Sequence, residues 1–247
     1  MFKKALLFVC LSLLLAQSAL AARKIVFATD STWPPLELVD ESKEITGYSI
    51  EFMKAAAQEA GFEAEFKSTA WDGIFAGLAA GKYDAIVSSV EMTDERKKAM
   101  DFSEPYYKVT QALIVPADAP YKTLEDMKGK SVGAQISTTG HMAVKKVKGV
   151  KDKSYDEIGM AIEDLVNGRI DGVVTDDPVA GYFALKKPEY QGKLKIVSKV
   201  PTAHDGFYGV AVKKGNKEVV ELLNKGIKAV KAKGIDKELK AKWIGAE

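Results

Sequence analysis

The sequence predicts an α/β protein of two lobes, each a mostly parallel sheet with helices on both faces, the two joined by a two-strand hinge. Three observations predict it. Short apolar strands alternate with amphipathic helices, the pattern of a parallel sheet covered by helices. The alternation runs from residue 24 to the helix start near residue 93, stops, and restarts over 131–187. Two further strand-like segments, 110–116 and 206–213, bracket the second block and suit crossings between lobes. The expected lobes are a discontinuous first one, 22–112 with 206–247, and an inserted second one, 113–205.

Residues 1–21 stand apart. Lys3 and Lys4 precede an apolar run from Ala5 to Leu15, and Ala19-Leu20-Ala21 reads as a cleavage signal, so a removed signal peptide is expected. The run is too short for a comfortable membrane span. Cys10, the single cysteine, lies inside it after Val9 and among apolar residues, which argues against a lipid anchor and leaves the rest without thiol chemistry.

"KIVFAT" (24–29) is a buried strand, broken off by Pro34-Pro35. "GYSIEFMKAAAQEAGF" (47–62) has helical spacing and a C-terminal glycine, Gly61. "AEFKST" is a second strand, "WDGIFAGLAAGKY" (71–83) a helix and "DAIVSSV" (84–90) a third strand. Thr93 then suits an N-cap, with Asp94 and Glu95 in the first turn. In the second block "SVGAQI" (131–136) is a strand and "STTGHMAVKKV" opens a helix. "EIGMAIEDLVNGR" is a helix ending near Gly168 and "IDGVVTD" (170–176) a strand. "DPVAGYFALKK" is a helix with Asp177 as N-cap and Pro178 at its first position. The tail 216–245 is an amphipathic helical pair with a Lys- and Glu-rich wet face.

Without Lys3 and Lys4 the 36 basic residues fall level with the 34 acidic ones, so the expected mature chain is near neutral. No basic cluster is interleaved with aromatics, which excludes nucleic acid and anionic membrane as natural partners. Enzyme patterns are absent: no G-x-S-x-G, H-E-x-x-H or Walker motif occurs, and there are two histidines. His141, just inside a helix start, and His204, near the proposed hinge, read as surface residues. No Cys/His cluster supports a metal site; neither metal nor cofactor is expected.

In parallel sheets a ligand lies beyond the carboxyl ends of the strands. Four stretches fall there: "TDSTWPP", "SSVEMTDER", "QISTTG" and "TDDP". They offer hydroxyls, helix-start amides, one arginine, several carboxylates and an aromatic, a set that suits a small zwitterion. Arg96 is oddly placed, since a cation in the first turn opposes the helix dipole. Taken alone it could be a solvated charge or a partner of Asp94 or Asp101. Ser88 and Ser89 could merely end a strand, Trp33 and Trp71 could be core, and "STTG" could be plain capping. Asp176 is harder to dismiss, because Asp177 already fills the capping role.

The chain resembles the polar-amino-acid group of periplasmic solute-binding proteins that serve ABC importers. The matching pieces include "ATDSTWPPLEL", "WDGIFAGLAAGKYDAIVSS", "TDERKKAMDFSEPYY", "LEDMKGKSVGAQISTTG", "GRIDGVVTDDPVA" and "GFYGVAVKKGNKE", in the family's order and spacing. The resemblance implies that Arg96 clamps the ligand α-carboxylate, helped by amides around Ser89 and Thr138, with Ser88 and Thr139 beside them. It implies that Asp176 receives the α-ammonium. Trp33 would cover the ligand, Trp71 would form the opposite wall, and Asp30 would meet a cationic side chain. It further implies lobes that close by hinge motion, a monomer in the periplasm, and delivery to a membrane permease. Two positions depart from the family. Ser49 stands where an acid is usual, and Glu91 where Ser or Thr is usual.

Asp30, Glu91 and Asp176 would set three carboxylates against one arginine. A zwitterion leaves that negative charge uncompensated, so a basic amino acid is expected, arginine or lysine ahead of ornithine and histidine. Glutamine or another polar neutral amino acid is the alternative ligand. A cyclohexadienyl-dehydratase-like enzyme, with Glu91 as general acid, is the alternative from another class.

Overall fold

The computed structural model describes residues 22–202 and 206–245. The expected signal peptide, with Cys10, and His204 lie outside the described residues.

Two five-stranded sheets form the two lobes. The first runs Glu63–Ser68, Lys24–Thr29, Ala85–Ile86, Ala211–Lys213, Met100–Phe102; its first three strands are parallel and the last two antiparallel to their neighbours. The second runs Lys151–Tyr155, Ser131–Gln135, Gly172–Asp176, Gln111–Pro116, Leu194–Val200, again a parallel triple followed by antiparallel strands. Between the lobes Tyr107–Val109 pairs antiparallel with Gly206–Tyr208, and the Tyr107 and Tyr208 rings stack at 5.6 Å. The expected two-strand crossing is therefore present. The expected segments are corrected, however: 110–116 supplies the strand Gln111–Pro116 of the second sheet, and the crossing strand lies just before it. The segment 206–213 is split between the crossing (Gly206–Tyr208) and the first sheet (Ala211–Lys213).

The helix Tyr48–Ala60 forms because its apolar residues recur on one face; Phe52, Met53, Ala56 and Ala60 are buried. Gly61, in the left-handed conformation at φ 82°, ends it. It packs on Lys217–Ala232, which buries Val219, Leu223, Ile227 and Val230. Ile235–Trp243 completes the expected tail pair.

Several local expectations need correction. The helix at 71–83 is confined to Ile74–Ala79 and the third strand to Ala85–Ile86. The stretch after Asp30, to which the sequence assigns no element, forms a small sheet of Thr32–Trp33, Glu37–Val39 and Ile45–Thr46, whose strands are too short to show a period. Asp177 is not the N-cap. It is the first residue of the helix Asp177–Gly181, Pro178 is the second, and the capping position belongs to Asp176. The Asp177 carboxylate instead accepts from the Thr110 N–H at 2.9 Å, tying the helix to the crossing segment. Beyond Gly181 the helix widens into a π turn, with Lys187 N–H donating to Tyr182 O.

Candidate ligand-binding site

Residues that follow the strands of both sheets line one small cavity between the lobes. The first lobe contributes Asp30, Trp33, Trp71, Ser88, Ser89, Glu91 and Arg96, and the second Thr138, Thr139, Asp176 and Gln135. All ten residues singled out from the sequence thus meet at one place; Gln135 was not foreseen.

Local chemistry explains how they get there. Asp30 follows the first strand, and its backbone N–H donates to Ser88 Oγ at 2.9 Å, which joins the ends of two neighbouring strands. The Asp30 carboxylate accepts from Thr32 N–H (3.1 Å) and Thr32 Oγ1 (2.7 Å) on one oxygen, and from Gln135 Nε2 (2.8 Å) on the other. Thr93 and Thr138 cap their helices, accepting from Arg96 N–H and His141 N–H at 3.2 Å each. Ser89 and Ser137 hold left-handed backbone angles, φ 48° and 60°, uncommon for residues other than glycine.

Arg96 is the one Lys or Arg lining the cavity. Its guanidinium donates to the Glu91 carbonyl (3.1 Å) and the Ser137 carbonyl (3.2 Å). It also lies over the rings of Trp71 (5.5 Å) and Phe75 (5.1 Å). Burial draws its pKa down, while Glu91, Asp176 and Glu95 act the other way. Trp71 is accordingly a platform for Arg96 as well as a wall of the cavity, and its Nε1 donates to the Ile136 carbonyl at 2.9 Å.

The acids are organised by an unforeseen residue. Gln111, opening the otherwise apolar strand Gln111–Pro116, is 2 % exposed. Its Nε2 donates to Glu91 (2.8 Å), to Thr139 Oγ1 (3.1 Å) and to Asp176. Asp176 also accepts from Trp33 Nε1 at 3.2 Å and from the Tyr208 hydroxyl, and Glu91 from the Thr139 hydroxyl. Burial pushes the Asp176 carboxyl up to about 7, with the Glu91 charge acting in the same direction. Gly140 makes room for this arrangement, since a Cβ there would lie 2.7 Å from Gln111 Oε1.

These contacts also hold the lobes together. Trp33–Asp176, Trp71–Ile136, Arg96–Ser137, Gln135–Asp30 and Thr139–Glu91 all cross the cleft, so the described conformation is a closed one.

His141 corrects the surface expectation. It is 4 % exposed, its Nδ1 accepts from Ser137 N–H at 3.0 Å, and Nε2 lies 3.0 Å from Asp152 Oδ2. A backbone N–H on Nδ1 leaves the ring proton on Nε2, so the side chain braces the Ser137 turn whose carbonyl meets Arg96. Glu37 was also missed. It is fully buried next to the cavity, and Ser89 Oγ donates to its two oxygens at 2.8 and 3.0 Å. Polar residues inside apolar runs, as in "TQALIVP", "SVGAQI" and "PPLELV", are the sequence signal that could have found Gln111, Gln135 and Glu37.

Residues 25–246 match the model of the bacterial extracellular solute-binding proteins, family 3. The chain belongs to this family. Among curated relatives of this solute-binding protein, the ABC transporter arginine-binding protein 1 of Escherichia coli (strain K12) is 35% identical over 227 residues, covering 92% of this chain and 93% of the relative. Among solved structures, an ancestral arginine-binding protein is similar at 38% identity and a TM-score of 0.83, covering 90% of this chain and 98% of that one. It has been solved bound to arginine and bound to glutamine. An ancestral amino acid-binding protein that is a precursor of cyclohexadienyl dehydratase is similar at 32% identity and a TM-score of 0.80, covering 90% and 95%. The two-lobed α/β fold read from the sequence is the fold of these solute-binding proteins.

Proposed function

We propose that this solute-binding protein captures a free amino acid with a cationic side chain, arginine or lysine ahead of ornithine and histidine, and hands it to the membrane permease of an ABC importer. One observation carries the reading: three carboxylates, Asp30, Glu91 and Asp176, share a closed cavity with a single guanidinium, Arg96. In the proposed pose the ligand carboxylate meets Arg96 and the amides near Ser89 and Thr138. The α-ammonium meets Asp176 and Glu91, and the side-chain cation lies toward Asp30, with Trp33 and Trp71 as walls. Three carboxylates outnumber the one cation even when a zwitterion is bound, so a second positive charge on the ligand complements the charge of this cavity. Likeness to an arginine-binding protein supports the same class.

Glutamine is the second reading, favoured by the related ancestral protein bound to glutamine. We read the chain as a binding protein without turnover, because the Arg96 and Asp176 arrangement for an amino acid is intact. Product formation from arogenate or prephenate would overturn that. The reading includes export through cleavage of 1–21, a monomer in the periplasm, lobes 22–112 with 206–247 and 113–205, and opening about the crossing strands. A thermal-shift screen of the twenty amino acids plus ornithine tests the ligand, because a molecule that binds only the native state raises its melting temperature. Arginine and lysine should give the largest shifts; a largest shift with glutamine would replace the basic reading by the neutral one.

A further inference from the structure

Next to the cavity, outside its lining, lies a fourth buried carboxyl group. Glu37 sits in the short strand Glu37–Val39 and is fully buried. On one side Ser89 Oγ bonds both of its oxygens, at 2.8 and 3.0 Å. On the other side it meets Ser49, whose Oγ accepts from the Tyr106 hydroxyl at 3.2 Å, and Tyr106 is packed between Phe52 and Tyr208. Glu37 therefore ties the hydrophobic core to the Ser89 turn. That turn has a left-handed serine at its centre and connects the strand Ala85–Ile86 to the helix carrying Arg96.

We propose that Glu37 is a positioning residue, a buried acid whose hydrogen bonds with the Ser89 hydroxyl hold the Ser89 turn in the shape that seats the ligand carboxylate. The inference rests on the reading of the cavity as an amino-acid site. The groups bonding Glu37 are Ser49 and Ser89, with Tyr106 behind Ser49, and the nearby charges acting on it are those of Asp30 and Asp176, both negative. Burial raises its pKa well above the carboxylate range, and these two acids act in the same direction. With its pKa raised, Glu37 places less negative charge below the seat of the ligand carboxylate than an exposed acid would. The same geometry accounts for Ser49. An acid at that position would set a second buried carboxyl against Glu37, whereas the serine hydroxyl bonds it.

The test measures L-arginine and L-argininamide by titration calorimetry on the exported chain and its variants. The two ligands differ only at the carboxylate, so the ratio of their dissociation constants reads the carboxylate seat. In Glu37→Leu the advantage of arginine over argininamide should shrink by about tenfold. In Glu37→Gln, which is neutral and keeps a donor and an acceptor, the ratio should stay within about threefold of wild type. Should Glu37→Leu fail to melt as a folded protein, Ser89→Ala, which removes the Ser89–Glu37 hydrogen bonds and keeps the Ser49 contact, decides with a loss in the same direction. Equal weakening toward both ligands would mean a merely structural role and would overturn the proposal, as would a Glu37→Gln variant as impaired as Glu37→Leu. A wild-type protein that ignores arginine would refute the ligand reading alone, and the ratio is then taken with glutamine and its α-amide.

Discussion

Arg96→Ala should abolish measurable capture of amino acids while leaving the fold in place. The guanidinium is the one Lys or Arg lining the cavity, and within its own lobe it is held by the Glu91 carbonyl and the faces of Trp71 and Phe75, so its position does not depend on closure. Removing one partner of a buried, hydrogen-bonded charge pair costs about 2–5 kcal/mol in binding. Loss of the cation also leaves Asp30, Glu91 and Asp176 facing the ligand carboxylate uncompensated, which adds repulsion. At 1.4 kcal/mol per decade, 3–5 kcal/mol predicts a dissociation constant for arginine raised by roughly 10²–10⁴-fold. Arg96→Lys keeps the charge but loses the planar fork and its stacking, so it should fall between, weaker than wild type by about 10-fold or more. Calorimetry at neutral pH and low salt reads both variants, with melting curves to establish folding. An alanine variant that binds arginine within about threefold of wild type would refute the carboxylate clamp.

Other consequences are independent of that one. Asp30→Asn should weaken arginine and lysine more than glutamine, and equal losses would remove Asp30 from the side-chain pocket. Asp176, raised to about 7, holds a proton below that pH, whereas a ligand ammonium favours its ionised form. Arginine affinity should therefore climb from pH 5 toward pH 7.5 and level off, with a slope of at most about one decade per pH unit; a flat profile would contradict the ammonium role. Ligand-free stability carries the opposite sign. A carboxyl pKa raised in the folded state makes the group bind its proton more tightly than in the unfolded chain, so its contribution falls as pH rises from about 3.8 to about 7. Asp176→Asn should remove that fall. Gly140→Ala should displace Gln111, whose Oε1 would lie 2.7 Å from the new Cβ, and cost about 1–3 kcal/mol in stability. Small-angle scattering should show compaction when arginine is added, and an unchanged radius would argue against closure about the crossing strands.

Legibility followed the length of the signal. The helix Tyr48–Ala60 and the tail pair repeat an apolar face over several turns, so periodicity alone placed them. The strands Thr32–Trp33 and Ala85–Ile86 have two residues each and carry no period, and Lys151–Tyr155 is a polar strand at the edge of its sheet. Arg96 was legible because a cation opposed the dipole of its own helix. Asp176 was legible as the acid beside Asp177, although the capping argument behind it was inverted: Asp176 occupies the cap position and turns its carboxylate into the cavity. His141 was misjudged because a helix start says nothing about which strand packs against it. Here Asp152, in the neighbouring edge strand, meets the ring.

By itself the sequence determined the alternation of strands and helices, the restart that makes two lobes, and the four strand-end stretches that gather polar groups. Those follow from local period and from the rule that parallel strands present their carboxyl ends together. Only the tertiary structure decided how the acids are used. Gln111 lies 20 residues from Glu91 and 65 from Asp176 along the chain, yet one amide nitrogen bonds both. Glu37 and Ser89 are 52 residues apart, and burial raises the pKa of the acid. Protonation and hydrogen bonding depend on what packs around a group, and that is a property of the folded chain rather than of any segment of it.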